Sequence, residues 1–232
     1  MAALKLVDLE SLARLGVVPG SFETPRSRDA LLPLDWPELA KVLPDGGLPR
    51  GVIELASAQP GSTRAQAKHS ALRGGSTSIA LAAIRGIHQA DERAWCAWIT
   101  EDTAPSLYAP AVAKAGVDLD RLLVVRPPHS ALARTAVKVT TSGAFDLVIV
   151  DAPTGLVQKR VDETVVVRKL ALAACDRGTS TILLTSAYTE RSAPLPVALR
   201  LEVERRPEAI SIRVTKDRRG SASSSHVVRL AS

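Results

Sequence analysis

The chain has 232 residues, 46% of them hydrophobic, which suffices for one large α/β domain with a full core but not for two. It contains 30 lysines and arginines against 24 acids, so its net charge is +6. No apolar run reaches the roughly 18 residues of a membrane-spanning helix, so we expect no membrane span. The amino terminus carries an early acid, Asp8, and no long apolar run. We therefore expect no export signal and a cytoplasmic protein.

The cysteines and histidines give little sign of metal or redox chemistry. Cys96 and Cys175 lie far apart inside apolar patterns, which predicts that both are core residues. The histidines share no ligand spacing, so we expect no metal site. They stand at His69, His88, His129 and His226.

The predicted elements alternate along most of the chain. Apolar positions at helical spacing predict helices at about 9–15, 36–43, 76–87, 107–114, 130–141 and 162–176. Each of the last five helices is followed by an apolar, β-branched run that predicts a strand, at 52–56, 94–99, 122–125, 144–151 and 180–185. In the third of these helices, at 76–87, Ser76, Thr77 and Ser78 are candidates for the cap. Three segments with period-two patterns follow, at 197–204, 210–215 and 225–230.

This order of elements predicts an α/β fold. Strands that alternate with helices form a mainly parallel sheet flanked by helices on both faces. The three period-two segments predict an antiparallel β extension at the carboxyl-terminal edge of that sheet. We assign residues 1–45 to an amino-terminal helix and linker, and residues 46–232 to the core domain.

The strand at 144–151 carries the clearest chemical signal. Five of the six residues from 145 to 150 are apolar, and the run stops at Asp151. This pattern predicts a strand buried on both faces with a carboxylate at its carboxyl end, where open α/β sheets place their ligands. In P-loop nucleotidases such an aspartate holds the nucleotide's magnesium, opposite a glycine-rich loop that contains a lysine.

Three segments resemble the RecA recombinases. Residues 46–55 (GGLPRGVIEL) resemble the entry to the first core strand, and residues 142–151 (SGAFDLVIVD) resemble the strand that ends in the magnesium-binding aspartate. Residues 106–109 (SLYA) with 115–124 (AGVDLDRLLV) resemble the segment around the second strand and helix. The match runs from about 46 to 220, and it implies a RecA-like P-loop-type core.

Within the RecA superfamily, the chain is most similar to the ImuA family. The runs WITEDTAPSLYAP at 98–110 and RLLVVRP at 121–127 carry this resemblance, together with the short length. It implies an accessory role in damage-induced (SOS) mutagenesis and translesion DNA synthesis. The partners it implies are RecA, the polymerase-like protein ImuB and single-stranded DNA.

The resemblance implies a degenerate nucleotide site. Gly75, Ser76 and Thr77 stand where the family has Gly-Lys-Thr, so a serine replaces the phosphate-binding lysine. The connection is also stretched, because 19 residues separate Ala56 from Ser76. The missing lysine removes a charge-assisted contact worth about 1.5–3 kcal/mol. We expect no cofactor; ATP with magnesium is the alternative.

Carboxylates complete this predicted site. Glu101 and Asp102 follow the second core strand, where the family carries the acid that activates the attacking water. If the loop holds no phosphate, this acid has no catalytic role, and we interpret the two residues as an exposed pair at the end of the strand. Asp151 is interpreted as structural, but it and Glu101 would be the contacts of any nucleotide that does bind.

Clusters of basic residues suit DNA or an acidic protein partner, with ordinary solvated surface as the alternative. The first DNA-binding loop of the family corresponds here to residues 153–160, and the second is cut to about ten residues, so we expect no strand exchange. The candidate contacts are Arg64, Lys68, Arg73, Lys159, Arg160, Arg205, Arg206, Lys216, Arg218 and Arg219.

Three functions fit the sequence. A non-catalytic RecA-like adaptor predicts negligible hydrolysis and measurable binding to RecA or ImuB. A DNA-dependent ATPase would use Lys68 or Arg73 in place of the missing lysine. An SOS inhibitor of cell division is the third, because such inhibitors resemble this fold distantly.

Overall fold

A single mixed sheet organises the part of the chain that the computed structural model describes. The described residues are 31–58, 75–157, 160–188, 195–220 and 225–229, and of 160–162 only the backbone is described. The strands are β1 Leu31–Leu32, β2 Leu48–Pro49, β3 Val52–Ala58, β4 Cys96–Thr100, β5 Leu122–Val125, β6 Leu147–Asp151, β7 Ser180–Ser186, β8 Leu199–Arg205, β9 Ala209–Asp217 and β10 Ser225–Arg229. The helices are α1 Pro37–Val42, α2 Ser76–Ala90, α3 Ala109–Lys114, α4 His129–Thr141 and α5 Arg160–Arg177.

Within the described ranges, the main sheet has the order β10-β9-β8-β3-β7-β6-β4-β5. The six strands from β8 to β5 are parallel, and β9 and β10 continue the sheet in antiparallel pairing. The predicted α/β class, with its parallel sheet and antiparallel extension, is therefore confirmed. One detail differs from expectation: β8, the first of the three period-two segments, joins β3 in parallel.

Two cores lie on opposite faces of the sheet, because successive residues of a strand point to opposite sides. In β6, Ile149 belongs to the core beneath α2, whereas Val148 and Val150 belong to the core beneath α4 and α5. All three are fully buried. A strand with apolar residues on both sides is stable only with helices on both faces, which explains its continuous hydrophobic run.

The segment before β3 packs against α2. Gly86 permits this approach, because a Cβ there would lie 2.6 Å from the Pro33 carbonyl carbon. Arg85 fixes the same contact: its Nε donates to Asp35 Oδ2 at 2.8 Å, and its Nη1 donates to the Ala115 carbonyl at 2.8 Å. The region from 31 to 43 thus shares the core of the main domain. The division of the chain at residue 45 stays a prediction.

Two local predictions were wrong. Cys96 is buried as expected, but Cys175 is exposed. The α2 helix begins at Ser76, and its cap residue is Gly75 in the left-handed conformation, without a side-chain cap bond. The predicted helix near 9–15 and most of the connection between Ala56 and Ser76 lie outside the described residues. Across the described ranges, no helix combines the length and the apolar character required to cross a membrane.

Candidate functional site

The predicted nucleotide site lies at the carboxyl edge of β3, β4 and β6. Thr100 pairs in register with Asp151, so the ends of β4 and β6 meet. Asp151 is only 4% exposed. Because Ile149 faces the α2 side of the sheet, Asp151, two residues further on, faces that side as well. The edge therefore brings a buried carboxylate to the side of the sheet that carries α2.

The phosphate-loop position is built into the fold. Gly75 has φ of +89°, and a Cβ there would lie 2.5 Å from Cγ2 of Ile210. Ser76 follows it and is fully buried, and its Oγ lies 2.9 Å from Oγ of Ser57, at hydrogen-bond distance. Thr77 is half-buried. Ile210 of β9 thus lies against Gly75, the residue before α2. Ser57 of β3 lies within hydrogen-bond distance of Ser76, the residue at the lysine position.

These residues fit a magnesium nucleotide only in part. Thr77 and Asp151 are of the types that hold magnesium, and the amino terminus of α2 suits an anion. At the lysine position, however, the side chain is a buried hydroxyl with a partner in β3. The basic candidates Arg64, Lys68 and Arg73 lie outside the described residues.

Glu101 is held by two side chains from neighbouring loops. Its Oε1 lies 2.9 Å from Nδ1 of His129, at the start of α4, and accepts a bond of 3.2 Å from Oγ1 of Thr154, after β6. The Glu101 side chain is 15% exposed. The sequence patterns did not mark His129 and Thr154 as site residues, although each lies in the connection that follows a parallel strand at the same edge. The carboxylate thus links three strand ends.

Asp102 contributes its backbone rather than its carboxylate. Its N–H donates to the Pro127 carbonyl at 3.0 Å, while its side chain is exposed. Arg126 Nη2 donates to the carbonyls of Asp102 and Ala104 at 2.6 Å each. The loop after β4 is therefore tied to the end of β5.

The loop after β6 is short and folds back on α5. Leu156 is 1% exposed, and its N–H donates to Oε1 of the buried Glu163 at 3.2 Å. Gly155, with φ of +103°, makes the turn that this requires. Lys159 and the side chain of Arg160 lie outside the described residues. In the described part of the first predicted DNA loop, 153–157, Gly155 and Leu156 are thus buried, whereas Thr154 is exposed.

Three of the five predicted carboxyl-terminal basic residues have partners within the fold. Lys216 Nζ donates to the Leu195 carbonyl at 2.6 Å. Arg219 forms ion pairs with Asp45 and Asp217. Arg206 Nε lies 3.7 Å from Oε1 of Glu204. Arg205 and Arg218 are exposed.

A buried ion pair lies elsewhere in the sheet, and sequence analysis did not single it out. Glu54 in β3 is fully buried and accepts a bond of 2.7 Å from Oγ1 of Thr185 in β7. Arg200 in β8 places Nη1 3.7 Å from its other carboxylate oxygen. The two partners come from the neighbouring strands on either side of β3, so the carboxylate joins three adjacent strands.

The sheet order and the carboxyl-edge site define a RecA-like α/β domain. Among solved structures, the chain is similar to the RadB recombinase, with 13% identity over 84% of this chain and 93% of that chain and a TM-score of 0.59. At this identity, the likeness shows the fold alone.

The model of the MT3502 N-terminal domain family matches residues 41–190, well over half of the chain. The chain therefore belongs to the MT3502 N-terminal domain family. No curated protein matches it.

Proposed function

We propose that the protein is a non-catalytic, RecA-like accessory protein of damage-induced mutagenesis. It would act in the cytoplasm by binding RecA and the polymerase-like protein ImuB, with single-stranded DNA as a further candidate. The sequence resemblance to the ImuA family and the RecA-like fold support this proposal. Proteins of many activities share one fold, so the residues of the site decide between the candidate functions.

The observation that carries the proposal is the buried Ser76. A phosphate loop needs a cation and open backbone N–H groups at this position. Here Ser76 has no exposed surface and lies within hydrogen-bond distance of Ser57, while Ile210 packs on the glycine before it. Nearby, Glu101 already has two protein partners. The polar groups at this edge support the fold, which favours binding of proteins over turnover of a nucleotide.

Binding to the expected partners tests the proposal. Immobilised protein is titrated with purified RecA, with purified ImuB and with the tubulin-like cell-division protein that an SOS inhibitor of division would bind, each at matched ionic strength. We expect saturable binding of RecA or ImuB and none of the division protein. Binding of the division protein alone would instead favour the cell-division inhibitor, and absence of binding to RecA and ImuB would contradict the accessory role.

A DNA-dependent ATPase remains the second candidate, because Thr77 and Asp151 keep the residue types of a magnesium site at the same edge. Steady-state hydrolysis of ATP is measured with and without single-stranded DNA. We expect no hydrolysis above the level of the Asp151→Ala variant. DNA-stimulated hydrolysis that Asp151→Ala abolishes would establish the enzyme and contradict the adaptor.

A further inference from the structure

The outer surface of α4 and α5 combines exposed apolar and basic side chains. Both helices cover the same core: Leu132 of α4 and Leu170 of α5 are fully buried beneath them. α5, however, is apolar on more than one side. Leu172 is 64% exposed and Val165 is 47% exposed, and their spacing of seven residues places both on one stripe.

Four exposed cations lie on the same two helices. Arg134 and Lys138 are exposed on α4, and Arg168 and Lys169 are exposed on α5. In contrast to Arg219 and Lys216, none of the four has an ion pair or side-chain hydrogen bond in the described part of the chain. α4 contains no acid, and Asp176 is the one exposed carboxylate among the described side chains of the two helices. The surface therefore carries uncompensated positive charge.

The two helices present these residues side by side. They pack against each other and run in the same direction, because α4 leads into β6 and α5 leads into β7, which pair in parallel. Their ends are level, because a Cβ at Gly143, just after α4, would lie 3.6 Å from Cδ of Arg177 at the end of α5. Counting back from these ends at about 1.5 Å per residue places Lys138 level with Leu172. Lys138 of α4 and Leu172 of α5, both exposed, are thus at the same height along two adjacent helices.

We propose that this α4–α5 surface docks an acidic amphipathic segment of a partner protein. Its carboxylates would pair with the four cations, and its apolar residues would cover Leu172 and Val165. The exposed leucine decides between partners, because a nucleic acid backbone gives an aliphatic side chain nothing apolar to bury against. The proposal deepens the accessory function and rests on it, since it names the surface through which a partner would be held.

The test uses a synthetic peptide, so that it does not depend on the identity of the partner. A fluorescently labelled peptide as long as α5, 18 residues, carries leucines at positions i, i+3, i+4 and i+7 and glutamates elsewhere. A second peptide has the same composition in scrambled order. Binding to the full chain is measured by anisotropy at physiological ionic strength. We expect the amphipathic peptide to bind at least about tenfold more tightly than the scrambled one.

Two variants of the surface should weaken the amphipathic peptide. Leu172→Ser and the double variant Arg134→Glu/Lys138→Glu should each raise its Kd about tenfold or more. The matched control is Lys41→Glu/Lys114→Glu, which makes the same charge change on exposed residues of α1 and α3, over the opposite core. It should leave the Kd within about twofold. Circular dichroism and thermal melting confirm that each variant is folded.

Several results would overturn the proposal. Equal affinity for the two peptides would show charge attraction without a docking surface. Unchanged Kd in Leu172→Ser would remove the apolar contact on which the argument depends. Binding of a labelled oligothymidylate that Arg134→Glu/Lys138→Glu abolishes and Leu172→Ser leaves intact would identify a nucleic acid surface instead. Failure of RecA and ImuB to bind would contradict the accessory function without changing any of these peptide results.

Discussion

The carboxyl edge of the sheet and the α4–α5 surface differ in how their polar groups are used. At the edge, Glu101 and Ser76 have partners within the protein, although the sequence suggests nucleotide chemistry there. On the α4–α5 surface, Arg134 and Lys138 extend into solvent, although no motif marks them. A side chain that the fold already engages must break a bond before it can bind a ligand. The exposed cations of the α4–α5 surface can therefore bind a partner without first breaking a bond within the protein.

The largest effect on stability should come from Glu54, a fully buried carboxylate that lies outside both regions. Glu54→Ala leaves Arg200 without its partner in the sheet, and we expect it to lower the free energy of unfolding by about 3–5 kcal/mol. The control is Glu202→Ala, which breaks the more exposed pair with Arg213 and should cost less than about 1 kcal/mol. Urea denaturation measures both. Equal losses in the two variants would mean that burial does not distinguish these pairs.

The next largest effect concerns the closed phosphate-loop position. Gly75→Ala adds a Cβ at positive φ and 2.5 Å from Ile210, so we expect a loss of about 2–3 kcal/mol in unfolding free energy. Gly178→Ala is the matched control: its φ is +69°, but no atom lies within 4 Å of the new Cβ. It should lose only about 1 kcal/mol. If both variants lose the same amount, β9 does not close over this position as described.

A moderate effect should follow from breaking the Glu101 contact. His129→Ala removes one of the two partners of this partly buried carboxylate, which should cost about 1 kcal/mol in unfolding free energy. Asp102→Asn, at the exposed neighbour, should be neutral within about 0.5 kcal/mol. Chemical denaturation checks both. A neutral His129→Ala would show that the contact contributes nothing to the fold and that Glu101 is free for other chemistry.

The smallest effect is a pH dependence from His88. Burial, and after it the charge of Arg121, lowers the pKa of this buried imidazole below its ordinary value of 6.5. The unfolded chain therefore binds a proton at a pH where the folded protein does not. This contribution to stability is complete above pH 6.5 and declines as the pH falls through the lowered pKa. Thermal melting between about pH 7 and pH 5 should show a steeper decline for the wild type than for His88→Gln.

The sequence predicted the sheet because its evidence is local. The apolar, β-branched run at 122–125 coincides with β5, and the run at 144–151 contains β6. Cys175 was placed in the core because α5 is apolar around much of its circumference, so its pattern does not reveal which side faces inward. For the same reason, the pattern of α5 does not reveal that the side chain of Leu172 is exposed.

The sequence patterns did not predict contacts between distant segments of the chain. Thr185 and Glu54 are 131 residues apart, and only the pairing of β3 with β7 brings them together. The contact of Glu101 with His129 and Thr154 likewise requires three loops to meet at one edge. Period-two alternation in β8 predicted a strand, but the pattern does not state whether its neighbour is parallel. Pairing partners are a property of the whole fold.

We expect that the edge formed by Thr77 and Asp151 does not bind nucleotide. Calorimetric titration of the wild-type protein with a non-hydrolysable ATP analogue and magnesium tests it most directly, with Thr77→Ala and Asp151→Ala measured alongside. We predict no saturable heat for any of the three proteins. Micromolar binding by the wild type that both variants lose, and that Asp102→Asn retains, would contradict the account and restore the ATPase.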